Sequence, residues 1–255
     1  MKTGKHDLVD SPYLQPQFAN AEAALGDLLL RAPIPSTELA ENSGLFVSPR
    51  TMKRQFFFDE IYKHALDVHG VVMQFGLRWG RDLATMHALR TIYEPFNATR
   101  HILGFDTFDG FPSVDPRDGT AELIKTGILS VSEGYDGFLR DVFAQRQALD
   151  PLPHVQRFDV FKGNAPERLT EYLRLHPETI VALAHFDMDL YEPTKQCLEL
   201  LRPYMTKGTV LAFDELLSSP FPGETVAVRE VLGLDRYRIR RSPAYSGHGA
   251  YIIIE

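Results

Sequence analysis

The sequence predicts a doubly wound α/β protein, with a mostly parallel seven-stranded sheet, helices on both faces and an antiparallel hairpin at one end. Three observations carry that expectation. From Gly70 onward short apolar runs alternate with amphipathic stretches, which is the texture of strands covered on both faces by crossover helices. Near the end the rhythm changes, and 237–241 and 250–254 are separated by a turn-like segment of Ser, Pro and Gly, as in a hairpin. The chain has 255 residues, 44% of them hydrophobic, enough to bury the core of one such domain.

The elements follow in order. Residues 14–30 carry Ala, Leu and Phe at helical spacing until Pro33 and Pro35 end the pattern. A second helix, about 49–68, is capped by Ser48 with Pro49 at its first position. Residues 1–69 are therefore expected to be an N-terminal helical extension, and 70–255 the α/β domain. Its strands are predicted at 71–75, 102–105, 155–161, 180–186 and 209–213, and its helices at 82–93, 166–175, 193–203 and 225–232. Five parallel strands followed by a hairpin are the arrangement of class I methyltransferases, a Rossmann-like fold. The stretch 112–153 breaks the alternation. It holds glycines at 119, 127, 134 and 137 and reads either as a lid or as a surface excursion with one helix near 137–146.

Composition excludes several classes. A net charge of -7 makes nucleic acid a poor partner, because phosphate binding needs clustered Lys and Arg. No apolar run approaches the roughly 20 residues that span a bilayer, and the first residues are too polar for a signal peptide, so a cytoplasmic protein without a membrane partner is expected. The one cysteine, Cys197, reads as a buried structural thiol.

In an open α/β sheet ligands sit beyond the carboxyl ends of the strands. The first strand ends in Gln74, Phe75, Gly76, Leu77, Arg78, Trp79 and Gly80; Gly76 and Gly80 allow a tight turn and close backbone approach to a ligand. This turn lacks the three-glycine spacing of a dinucleotide site, which argues against a nicotinamide dehydrogenase. The second strand ends in Asp106, Thr107, Phe108, Asp109 and Gly110. Asp106 can accept both hydroxyls of a ribose, whereas Asp109, ahead of a glycine, reads as a turn former.

The fourth and fifth strands end in Asp187, Met188, Asp189 and in Asp214, Glu215. Four carboxylates crowded at neighbouring strand ends raise one another's pKa unless a cation lies among them. Oxygen ligands suit Mg²⁺, Ca²⁺ or Mn²⁺ rather than zinc. The alternative is that some of the four are caps or ion-pair partners of Lys195 or Arg202. If the strand persists to residue 189, its period of two turns Asp187 and Asp189 to one side. Asp187 would then join Asp214 and Glu215 on the metal, and Asp189 would take a substrate proton. His101, His185 and His248 are rival bases; His185 lies within a strand and reads as a core imidazole, while His248 sits between two glycines.

These motifs, with Phe111-Pro112 and Tyr191-Glu192-Pro193-Thr194, resemble the macrocin O-methyltransferase family from about Ser48 to the C terminus. The resemblance implies S-adenosylmethionine and Mg²⁺ as cofactors, a sugar hydroxyl of an antibiotic as acceptor, and a homo-oligomer with no partner but its small glycosylated substrate. It implies Asp106, with Thr107 beside it, at the cofactor, Asp187, Asp214 and Glu215 on the metal, and Asp189 as base. It also implies an adenine contact after the third strand, where Asn164 stands. Two positions depart from the family: Gln74 replaces a Glu, losing a charge near the cofactor's amino group, and Arg81 replaces a glycine. A catechol or phenol acceptor, and a catalytically silent cofactor-binding module, remain alternatives.

Overall fold

The structure, a computed structural model, describes residues 16–120, 124–243 and 249–255. The chain divides into two compact units, one ending at Phe56 and one running from Phe57 to Glu255. In the first, α1 (Pro16–Leu30) and the short α2 (Ser36–Leu39) lead through a 3-10 turn (Glu41–Phe46) into the start of α3 (Pro49–Ala65), whose residues from Phe57 onward are counted in the second unit. The expected start of the first helix, residues 14 and 15, lies outside the described residues. Ser48 caps α3 as expected, its Oγ accepting the Thr51 N–H at 3.3 Å, with Pro49, which has no N–H to leave unsatisfied, in the first helical position.

In the second unit the elements are β1 (Val71–Phe75), α4 (Arg81–Tyr93), β2 (Ile102–Asp106), α5 (Tyr135–Ala148), β3 (Phe158–Lys162), α6 (Ala165–Leu175), β4 (Val181–Phe186), α7 (Tyr191–Leu201), β5 (Met205–Phe213), α8 (Gly223–Val231), β6 (Arg240–Arg241) and β7 (Ala250–Ile253). They build one seven-stranded sheet in the order β3-β2-β1-β4-β5-β7-β6. The first five strands are parallel; β7 pairs antiparallel with both β5 and β6. The predicted class I methyltransferase architecture is thus present. Chain order reverses between β1 and β4, and this switch point leaves a crevice at the carboxyl ends of those strands.

Each parallel strand is apolar on both sides, so successive residues feed two separate cores. Val72, Leu83, Met86, Phe143, Leu183 and Val210 pack on one face. Met73, Leu103, Leu169, Cys197, Leu198 and Val228 pack on the other. Cys197 is buried, as its amphipathic context predicts, and burial pushes its thiol pKa up, away from reactivity.

The second helix ends at Ala65 rather than 68, and three strand starts differ from expectation by more than one residue. β3 starts at Phe158 rather than 155, because the preceding residues form a turn whose carbonyls at Leu152 and Val155 accept the Gln147 amide at 3.2 and 2.8 Å. β5 starts at Met205 rather than 209; its first half is largely exposed, so it carries none of the apolar signal that marks a buried strand. β6 is limited to Arg240–Arg241, and residues 244–248 of the hairpin connection, with His248, lie outside the described residues.

Candidate active site

Five phenylalanines lie side by side across the parallel strands just before they end. Phe161, Phe105, Phe75, Phe186 and Phe213 are neighbours in register, and their rings stack with centroids 4.9, 5.0, 5.1 and 5.1 Å apart. Side chains alternate along a strand, so the ladder fills one core and the next residue of each strand leads to the crevice edge. Those next residues are Lys162, Asp106, Gly76, Asp187 and Asp214. The recurrence of Phe near the end of each of the five runs was readable in the sequence, although its meaning as a common floor needs the register.

At the end of β1, Gln74 is buried, with Nε2 donating to the Gly76 carbonyl at 2.9 Å. Its Oε1 is buried without a hydrogen-bond partner, an acceptor for which a ligand donor is the natural complement. Gly76 and Gly80 have φ of 84° and 74°, where L side chains are strained. A Cβ on Gly80 would come within 2.5 Å of Leu139 Cδ1, so this glycine also lets α5 pack on the turn.

Asp106, expected to meet a ribose, is engaged by backbone donors. Its Oδ2 accepts the N–H groups of Leu77 and Arg78 at 2.5 and 2.8 Å, and its Oδ1 accepts that of Phe108 at 2.5 Å. The carboxylate therefore braces the β1 turn from β2, and Oδ1 keeps one acceptor direction for a ligand hydroxyl. Thr107 is turned inward to its own loop: its hydroxyl donates to Gly110 O at 2.7 Å and accepts the Asp109 N–H at 3.3 Å. Asp109 lies in that turn, as predicted. Asn164 immediately precedes α6 and its side chain makes no capping bond, so its amide is available.

β4 ends at Phe186, and the expected extension of the strand to Asp189 does not occur. The ladder goes one residue further, with Asp187 N–H donating to Phe75 O at 2.8 Å and Asp214 N–H to Phe186 O at 3.0 Å. Asp189 instead has a φ of 62° at the centre of a three-residue turn closed by Leu190 N–H on Met188 O at 2.7 Å. A left-handed non-glycine residue costs of order 1 kcal/mol or more and persists only where its surroundings enforce it. A turn, and not strand alternation, therefore sets the direction of Asp189.

Glu224, which sequence reasoning missed, provides part of that enforcement. It is fully buried in the first turn of α8 and accepts N–H groups from Met188, Asp189 and Glu215 at 3.3, 3.4 and 3.0 Å. Burial first, and then the charges of Asp189, Asp214 and Glu215, drive its pKa well above the usual carboxylate range. Three of the four carboxylates singled out in the sequence, Asp189, Asp214 and Glu215, thus act on Glu224, and Asp187 is not among them. In sequence an acid in a helix's first turn signals only favourable dipole placement, so nothing distinguished this one.

Asp118 was missed as well. Buried in the 112–153 insertion, it accepts the Tyr191 N–H at 2.5 Å and the Asp115 N–H at 2.7 Å, and Arg117 lies 3.6 Å over the Tyr191 ring. This part of the insertion is tied to the loop that bears Asp189.

Among the described residues no three His, Cys, Asp or Glu side chains form a ready-made metal cluster. Asp187, Asp214 and Glu215, at the carboxyl ends of two neighbouring strands, are hard oxygen donors, the donor type that a divalent cation takes. Of the rival bases, His185 is buried against the Phe57 and Phe58 rings, and His101 precedes β2 at the opposite end of the sheet.

Sheet order, glycine turn and acidic strand ends together define a class I methyltransferase. No family model matches the chain, and no curated protein sequence does. Among solved structures, the chain is 41% identical to CalS11, described as calicheamicin methyltransferase, with a TM-score of 0.93 over 99% of this chain and 98% of that one. An apo structure of CalS11, described as TDP-rhamnose 3'-O-methyltransferase, an enzyme in calicheamicin biosynthesis, gives 38%, 0.84 and coverages of 98% and 99%. The chain belongs to the O-methyltransferase family that CalS11 represents. The O-methyltransferase NovP, at 21% identity and a TM-score of 0.59 over 79% of each chain, shares the fold. No helix among the described residues is long and apolar enough to cross a membrane.

Proposed function

We propose that this protein transfers a methyl group from S-adenosylmethionine to a sugar hydroxyl of a glycosylated small molecule in antibiotic biosynthesis, with a divalent cation at the acceptor. The observation that carries the reading is the 41% identity to CalS11 over nearly the whole of both chains, because the CalS11 described in the apo structure acts on the 3' oxygen of TDP-rhamnose.

S-adenosylmethionine, when bound, supplies a methyl group made electrophilic by the sulfonium. The residues present fit it. The β1 turn with Gly76 and Gly80 permits close backbone approach, Gln74 Oε1 lacks a donor, Asp106 Oδ1 would accept from a ribose hydroxyl, and Asn164 would meet the adenine. A hard cation, held by Asp187, Asp214 and Glu215, would lower the pKa of a chelating hydroxyl.

A sugar hydroxyl is a weak nucleophile, so the chain's own contribution is to align it and take its proton. Asp189, turned out of the strand line, is the proposed acceptor of that proton. Asp118 and Glu224 hold its loop, and the insertion anchored by Asp118 would limit water at the acceptor.

The test is an acceptor panel with isotope-labelled S-adenosylmethionine, comprising nucleoside diphosphate sugars, finished glycosides and catechols. Methylation of a sugar oxygen is the expected result, and methylation confined to phenols would replace the sugar reading with the catechol one.

A further inference from the structure

Asp187 and the proposed base Asp189 follow β4, whereas Asp214 and Glu215 follow β5, so the groups proposed for the cation and the proton are divided between two loops. Sheet hydrogen bonds guide these loops only as far as Asp187 and Asp214, whose N–H groups reach Phe75 O and Phe186 O. Beyond those residues one side chain contacts both. Glu224 Oε1 accepts the N–H groups of Met188 and Asp189, and Oε2 accepts that of Glu215. Both carboxylate oxygens are committed to backbone donors in a fully buried position, so this group is placed to hold its neighbours and not to touch substrate.

The start of α8 can come this close only because residue 223 is glycine. A Cβ there would stand 2.6 Å from Tyr191 N, 2.7 Å from Asp189 O and 2.7 Å from Asp118 Oδ1, well inside van der Waals contact. The helix start, the β4 loop and the insertion therefore meet at one point, with Glu224 directed between the two acidic loops.

We infer that Glu224 is a positioning residue for methyl transfer: its carboxylate bridges the Asp189 turn and the Glu215 loop so that the proton acceptor and the cation-facing carboxylates keep one fixed spacing. This rests on the roles given above to Asp189 and Glu215. The length of a glutamate and its two acceptor oxygens are both required. Glutamine keeps the volume but has one acceptor oxygen, and its NH₂ would then oppose an N–H donor on one of the two loops. Aspartate is one methylene short of spanning them.

A misplacement of about 1 Å at reacting groups can cost on the order of a hundredfold in rate. Glu224→Gln is therefore expected to lower kcat by roughly ten- to a hundredfold, with the KM for S-adenosylmethionine close to that of the wild type and a melting temperature somewhat lowered by the opposed buried donor. Hydrogen exchange reads the bridge without turnover: the amides of Met188, Asp189 and Glu215 should exchange faster in Glu224→Gln, while those of β1 and β4 stay protected. Wild-type kcat, or unchanged exchange at those three amides, would overturn the inference. So would a loss of activity matched by a general loss of protection that extends to β1 and β4, since that is the behaviour of a merely structural residue. Asp189→Asn, measured in parallel, separates the readings. If it keeps full turnover the base is elsewhere, and the three amides still decide the role of Glu224.

Discussion

Gly76 and Asp187 meet with no room for a methyl group between them: a Cβ on Gly76 would lie 2.6 Å from the carbonyl carbon of Asp187 and closer still to its oxygen. The turn proposed to receive the cofactor and the loop that leads to the proposed base are thus in backbone contact. Displacement of either must move the other.

Gly76→Ala adds that Cβ at a φ of 84°. Strain of more than about 1 kcal/mol is expected from the backbone alone, with the contact in addition. Calorimetric titration should show S-adenosylhomocysteine binding weakened roughly tenfold or more, and thermal melting should be lower than for the wild type.

Asp106→Asn should separate bracing from ligand contact. One of the three N–H groups that Asp106 accepts would then face an NH₂, a loss of about 1–3 kcal/mol in unfolding free energy. If Oδ1 also meets the ribose, removing a ribose hydroxyl from the cofactor product should weaken binding to the wild type and have little further effect in Asp106→Asn. Equal sensitivity in both proteins would limit Asp106 to the turn.

Asp189→Asn keeps shape and removes the proton acceptor. A fall in kcat of about 10²–10⁴ is expected for loss of a general base, with binding of S-adenosylhomocysteine retained in titration.

Removal of divalent cations with a chelator should abolish turnover and leave cofactor-product binding measurable, and added Mg²⁺ should restore the rate. Full activity in chelator would remove Asp187, Asp214 and Glu215 from the role of ligands.

His87 gives the fold a predicted pH dependence away from the site. Its ring is buried beside Arg90 and Asp150, and burial, then the Arg90 charge, push its pKa down to about 4 against an upward pull from Asp150. In the unfolded chain it titrates near pH 6.5. The unfolded state therefore binds the proton first: stability is intact above about pH 6.5 and falls toward about pH 4, by up to ~1.4 kcal/mol per pH unit. Urea unfolding across this range should show that slope, and His87→Gln should flatten it.

Much of the architecture was legible because strands buried on both faces have to be apolar throughout. The runs ending at Phe75, Phe105, Phe186 and Phe213 announced the sheet, and the residues after them, Gly76, Asp106, Asp187 and Asp214, announced the crevice. β5 was read short because its first half is exposed, and β3 was read long because Val155, which lies in the turn before the strand, is apolar as a strand residue would be.

What the sequence by itself determined, then, is the alternation of elements and the identity of the residues at each strand end, since both depend on local pattern. The direction of Asp189, the bracing role of Asp106, and the bridges made by Asp118 and Glu224 were decided by tertiary structure alone. The physical reason is that a carboxylate looks the same in sequence whether it meets solvent, a ligand or a backbone N–H, and Glu224 finds its three donors on loops 9 and 35 to 36 residues away.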